Sequence, residues 1–140
     1  MARFGGPDTV IVEGRAINGR NIVIAAGGRP VPLDFPGAEH AITSDAFMEL
    51  EDLPKRIAMV GDGYIAAEFS HIAARAGAKV TVLQRAERML TRFDPELVGW
   101  LMEKFSEIGI EAQTGTPVEA IERAGSGFRA RQGEEPRDRD

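Results

Sequence analysis

The sequence predicts an α/β chain built round one parallel βαβ unit, with antiparallel strands ahead of it and a β-meander behind it. Three observations predict this. The tight turn Gly61-Asp62-Gly63 falls directly between a short apolar run, residues 56–60, and a helical run, residues 64–76. Gly77 then supplies a left-handed helix stop, and residues 79–83 read as a second strand parallel to the first. Strand, helix and strand together occupy about thirty residues, the size of a mononucleotide half-fold.

Taken in order, residues 9–13 (Thr-Val-Ile-Val-Glu) are β-branched and extended, and residues 16–19 (Ala-Ile-Asn-Gly) read as a short strand closing at an Asn-Gly turn. Residues 21–25 (Asn-Ile-Val-Ile-Ala) form a continuous apolar run ahead of Gly27-Gly28, the pattern of a strand buried on both faces. Pro30, Pro32 and Pro36 cannot continue a sheet, so the chain is expected to cross from one unit to another between residues 29 and 42. Ser44 or Asp45 is placed to cap a short helix running to Leu50, which Pro54 ends. The 64–76 helix is expected to bury Ile65, Phe69, Ile72 and Ala76. In the next helix Asp94 caps, Pro95 takes the first position, Leu97, Leu101, Phe105 and Ile108 form the buried stripe, and Gly109 ends it. Residues 110–113 would be the next strand. Residues 118–123 and 128–131, joined by Ala124-Gly125-Ser126-Gly127, would form an antiparallel hairpin, and residues 132–140 have nothing to bury and are expected to be disordered.

Composition narrows the function. The 140 residues, 43% apolar and 28% charged, suffice for one domain with a core and fall short of a complete enzyme carrying two cofactors. The net charge of −5, with basic residues scattered, gives no footprint for nucleic acid or an anionic membrane surface. No apolar stretch approaches the roughly 18 residues of a membrane helix, and the first residues lack a signal peptide's apolar core, so a cytoplasmic location is expected. With no cysteine, the chain holds no disulfide, thiolate nucleophile, cysteine zinc site or redox-active dithiol. No metal site is expected.

The chemistry-bearing motif is Gly61-x-Gly63-x-x-Ala66, placed after a strand and opening a helix as a Rossmann-type dinucleotide fingerprint requires. The first glycine permits the turn, the second lets the diphosphate approach the backbone, and the small Ala66 lets helix and strand pack closely. The diphosphate would rest on the helix N-terminus, at Tyr64 and Ile65, where unpaired amides and the dipole favour an anion. The alternative is that both glycines merely make a tight turn. At the end of the second strand, where an NADH-preferring site carries a carboxylate for the ribose 2′-hydroxyl, stand Gln84 and Arg85, with Arg88 and Arg92 further on. Nothing there repels a 2′-phosphate, and a guanidinium can hold one, so NADPH is expected to bind and NADH more weakly. The alternative for these arginines, above all Arg88 and Arg92, is a solvated loop charge. Asp62 opposes the fit: a carboxylate beside the diphosphate costs on the order of 1–3 kcal/mol unless it swings to solvent.

With these residues in place the chain resembles the pyridine nucleotide-disulfide oxidoreductases, the family of glutathione reductase, dihydrolipoyl dehydrogenase and mercuric reductase. The likeness runs from about Thr9 to Arg131. It rests on residues 21–30 (Asn-Ile-Val-Ile-Ala-Ala-Gly-Gly-Arg-Pro), Pro36-Gly37, Thr43-Ser44-Asp45 leading to Leu53-Pro54, residues 60–68 (Val-Gly-Asp-Gly-Tyr-Ile-Ala-Ala-Glu) and Phe93-Asp94. The Thr-Ser-Asp stretch, the Tyr-Ile-Ala-x-Glu run and Arg85 look most like the glutathione reductase branch.

The resemblance implies that residues 1–40 are the closing strands of an interrupted FAD-binding domain, with Ala25 and Gly27 near the flavin. Residues 41–131 would be the NAD(P)-binding domain and 132–140 a tail. It implies that Tyr64 covers the nicotinamide pocket and that Glu68 pairs with a lysine beside the flavin ring. Read without the family, Tyr64 is as readily a half-solvated helix-start residue and Glu68 an exposed helix position. The family passes hydride from NADPH to FAD, then electrons to a cysteine pair and a disulfide substrate. FAD belongs to the complete enzyme, together with the missing FAD and interface domains and a homodimer. This chain supplies no catalytic residue: it has no cysteine pair, and His40 and His71 read as ordinary surface or partly packed residues. Ala26 stands where the family pattern has threonine. Three readings stay open: part of an NADPH-dependent flavoprotein disulfide reductase, inert alone; a stand-alone nucleotide-binding module or inert remnant; and a self-sufficient dehydrogenase, for which no catalytic set accompanies the fingerprint.

Overall fold

The computed structural model describes residues 1–61 and 63–133; Asp62 and most of the expected tail, residues 134–140, lie outside the described residues. The chain divides into two compact units, Met1–Val31 and the part from Pro32 onward.

The first unit is an antiparallel meander of β1 (Ala2–Gly6), β2 (Thr9–Val12) and β3 (Arg15–Asn18). The β2–β3 turn needs positive φ at both central residues, and Glu13 (50°) and Gly14 (82°) supply it. At the other end the Thr9 hydroxyl donates to the Asn18 side-chain oxygen at 2.8 Å. β1 escapes sequence reading because Gly5, Gly6 and Pro7 look like pure punctuation; a bulge between Phe4 and Gly6 accommodates them. No residue of this unit is buried.

The expected strand at residues 21–25 is corrected: it is not a strand, and Val23 and Ile24 are 85% and 74% exposed. A strand buried on both faces needs neighbours in space that supply hydrogen bonds and cover, and this three-stranded unit offers none.

The second unit begins with a strap over the later hairpin. The Ile121 amide donates to the Pro36 carbonyl at 2.9 Å. At Gly37 (φ 81°) a Cβ would stand 1.9 Å from the Ile121 carbonyl oxygen, so both conformation and space demand glycine. A 3-10 turn, Ala38–His40, lays His40 on Phe128 with ring centroids 4.8 Å apart. Helix α1 is Ser44–Met48, which corrects both expected ends: Thr43 rather than Ser44 or Asp45 is the N-cap residue, no side chain bonds the cap, and the helix stops two residues before Leu50.

Strands β4 (Arg56–Val60), β5 (Lys79–Leu83) and β6 (Glu111–Gln113) form a parallel sheet in that order, joined by α2 (Tyr64–Arg75) and α3 (Pro95–Glu107). Both crossover helices stop at a left-handed glycine, Gly77 and Gly109, with Ala78 N–H bonded to Ala73 and Ile110 N–H to Phe105. The core gathers Val80 and Val82 of β5 with Ala67 and Ala73 of α2, Val98 and Phe105 of α3, and Met89.

The buried faces of the helices are corrected too. α2 buries Ala67, Ser70 and Ala73, while Ile65, Ile72 and Ala76 are exposed and Phe69 half-buried. Small residues let the helix lie close to the sheet; the bulky stripe turns away, where Phe69 meets Phe47 of α1 at 5.0 Å. In α3 Val98 replaces Leu97 in the core, Phe105 is buried as expected, and Leu101 and Ile108 are half-buried. The hairpin of β7 (Val118–Ala124) and β8 (Gly127–Gln132) carries Arg131 paired with Glu119 at 3.1 Å. β8 includes Gln132, which corrects the expectation that this residue belongs to a disordered tail.

Candidate dinucleotide site

The candidate site lies at the carboxyl ends of β4 and β5. Gly61 follows β4 with φ 126°, a conformation nearly closed to residues with a Cβ, and its amide donates to the Leu83 carbonyl at 3.0 Å. That bond joins the fingerprint turn to the end of β5, so Gln84 and Arg85 stand beside it. Open α/β sheets place ligands at this edge.

Gly63 differs from Gly61. Its backbone is extended (φ −69°, ψ 165°), which any residue adopts, and a Cβ there would meet nothing within 4 Å. The fold alone does not require a glycine at this position. It is the N-cap of α2, with no side chain to bond the leading amides and no acidic residue in the first turn. α3 shows the contrast: Asp94 accepts from the amides of Glu96 (2.9 Å) and Leu97 (3.4 Å), filling that helix's donor positions. Among the described residues, no side chain accepts from the leading amides of α2, an arrangement that fits a diphosphate.

Gln84 is only 4% exposed, whereas Arg85 beside it is exposed. Arg88 is half-buried and its guanidinium donates to the Thr91 carbonyl at 2.9 Å, and Arg92 is exposed. Tyr64 and Ile65 are exposed in the first turn of α2. Tyr64 and Glu68 share a groove of about 230 Å³ with His71, Leu90, Phe93 and Leu101. His71 accepts from the Arg75 side chain at 3.3 Å. Ala25 and Gly27 belong to the first unit, exposed on a stretch without sheet partners. The expected conflict at Asp62 lies outside the described residues.

Two features of the site escaped the sequence. Leu90 and Phe93 join Tyr64 and Glu68 only through the β5–α3 connection, and residues 113–116 bond the segment around Arg85. Gly115 between two threonines was the available signal for the second.

Among the described residues no helix is long and apolar enough to cross a membrane. A family model described as pyridine nucleotide-disulphide oxidoreductase matches residues 2–138. The chain is 41% identical over 122 residues to a glutathione reductase of Burkholderia cepacia, covering 87% of this chain and 27% of that protein. To a mercuric reductase of Staphylococcus aureus it is 34% identical over 126 residues, covering 89% and 23%. Among solved structures, the Cu(II) complex of the HOCl-induced flavoprotein disulfide reductase RclA from Escherichia coli superposes with a TM-score of 0.74 at 26% identity, covering 94% of this chain and 31% of that one. The chain thus spans about a quarter of the length of these curated relatives.

Proposed function

The chain belongs to the pyridine nucleotide-disulphide oxidoreductase family, and on that premise we propose that it is the NADPH-binding portion of a larger, glutathione reductase-like, FAD-dependent enzyme acting on disulfides. The observation that carries this reading is the strand–turn–helix of β4, the glycines Gly61 and Gly63, and α2, whose leading amides meet no side-chain acceptor among the described residues. Gly61 makes the turn, Gly63 leaves room for the diphosphate, and the first amides of α2 receive it. Arg85, exposed beside that turn, holds the 2′-phosphate, and Gln84 brings no charge against it. Tyr64 shields the nicotinamide pocket and Glu68 pairs with a lysine of the flavin-binding part. When bound, NADPH would supply the hydride that reduces FAD in the complete enzyme, whose electrons would then pass to a disulfide.

In this reading residues 1–40 close the flavin-binding domain, with Ala25 and Gly27 near FAD, and residues 41–131 form the nicotinamide domain. Catalysis, and a homodimer, belong to the whole cytoplasmic enzyme rather than to this chain. Calorimetric titration of the chain with NADPH, NADH and FAD tests the assignment. NADPH should bind most tightly, NADH more weakly and FAD not at all. Equal affinity for the two nicotinamide nucleotides removes the preference, and no binding of either removes the site.

A further inference from the structure

Arg85 is exposed, yet its two neighbours are tied down. The Gln84 amide donates to the Gln113 carbonyl at 2.9 Å, and the Gln84 carbonyl accepts from the Thr116 amide at 2.8 Å. On the other side the Ala86 carbonyl accepts from the Gly115 amide at 2.9 Å. The first bond comes from Gln113, the last residue of β6, and the other two from the turn that follows it. That turn depends on Gly115 at φ 64° and is closed by the Thr116 hydroxyl donating to the Thr114 carbonyl at 3.0 Å. Gln84 is itself buried, which anchors the clamp further. The backbone on both sides of Arg85 is therefore fixed, leaving mainly its side-chain torsions free. A charged group presented from a fixed backbone loses less entropy on meeting its ligand than one on a free loop. Arg88, by contrast, already spends a guanidinium donor on Thr91.

We infer that the 113–116 turn is a positioning element for nucleotide selection: by clamping Gln84 and Ala86 it holds Arg85 at the end of β5, where the guanidinium selects a nucleotide phosphorylated on its 2′-oxygen. Gly115 and Thr116 touch no ligand; they act through Arg85. The inference rests on the reading of Arg85 as the 2′-phosphate's partner, and the test separates the two.

The probes are adenosine 2′,5′-bisphosphate and adenosine 5′-monophosphate, which differ only in the 2′-phosphate, titrated calorimetrically into the full chain. The quantity read is the ratio of their affinities. The parent should favour the bisphosphate by about tenfold or more, the worth of a charge-assisted contact. Arg85→Ala should bring the ratio close to one. Gly115→Val, whose β-branched side chain opposes positive φ, should lower the ratio by about threefold or more with the monophosphate affinity kept. Gly115→Asn, tolerant of that conformation, should keep the parent ratio. Gly115→Ala, a milder strain, should move the ratio the same way as Gly115→Val and serves if the valine variant does not fold.

A parent without preference, or without binding, overturns the Arg85 reading and this inference with it. If Arg85→Ala abolishes the preference while Gly115→Val and Gly115→Ala keep it, the reading stands and the clamp is overturned. Equal loss for both nucleotides in the Gly115 variants also overturns it, since that is general damage to the domain.

Discussion

At the scale of single residues, Gly61 and Gly63 are both glycine for separable reasons, because Gly61 is held at φ 126° by the turn and Gly63 sits extended with open space where a side chain would begin. Gly61→Ala should therefore destabilise the fold by about 1 kcal/mol or more through backbone strain. Gly63→Ala should leave stability within about 0.5 kcal/mol and still weaken NADPH, because the new methyl stands where the diphosphate approaches. Denaturant unfolding of each variant beside an NADPH titration checks the pair; equal stability losses would show that the fold, not the ligand, requires both glycines. Gln84→Glu should move preference towards NADH, a carboxylate accepting from a 2′-hydroxyl and repelling a 2′-phosphate. Because Gln84 is buried, that variant should also be less stable without nucleotide. An unchanged NADPH to NADH ratio would contradict the assignment of this strand end.

The elements that the sequence made legible are those whose boundaries are written in backbone chemistry. β4 and β5 fall at residues 56–60 and 79–83 as read, because a glycine-rich turn and a left-handed glycine bracket the helix between them. Asp94-Pro95 likewise marked the start of α3, and Asp94→Ala should cost about 1 kcal/mol in thermal unfolding while leaving nucleotide affinity unchanged. What periodicity did not tell was which face of a helix meets the sheet. Counting large apolar side chains favoured Ile65, Phe69 and Ile72, but a helix laid closely on parallel strands needs small ones, and Ala67, Ser70 and Ala73 take the contact. Ser70 makes the point testable: its hydroxyl is fully buried without a hydrogen-bond partner among the described residues, so Ser70→Ala should raise stability or leave it unchanged. A clear loss would mean that the hydroxyl is satisfied in solution.

Over the whole molecule, the two units differ in what holds them. From Pro32 onward the chain has a core centred on Val80, Val82 and Phe105, whereas Met1–Val31 holds three paired strands and no buried residue. Amide hydrogen exchange should follow that division, with β5 protected far more strongly than β1, β2 and β3. Equal protection would contradict it. The misread strand at residues 21–25 belongs to this scale. Its apolar continuity is local, but burial is supplied by neighbours, and no one-dimensional pattern reports whether they are there. The nearness of Gly61 and Gly63 to Gln84 and Arg85 was legible for the opposite reason: these residues stand at two adjacent strand ends that one βαβ unit fixes by itself. The clamp on Arg85 was not, since residues 113–116 reach it only through the sheet.

The central claim is that a dinucleotide diphosphate seats on the start of α2. Titrating the isotopically labelled chain with NADPH, and following every backbone amide by NMR, tests it directly. The largest shifts should fall on Gly63, Tyr64, Ile65 and Ala66, with a second set at Gln84 and Arg85. Shifts confined to another surface, such as the groove beside Arg56 and Lys79, or none at all at saturating nucleotide, would contradict the account.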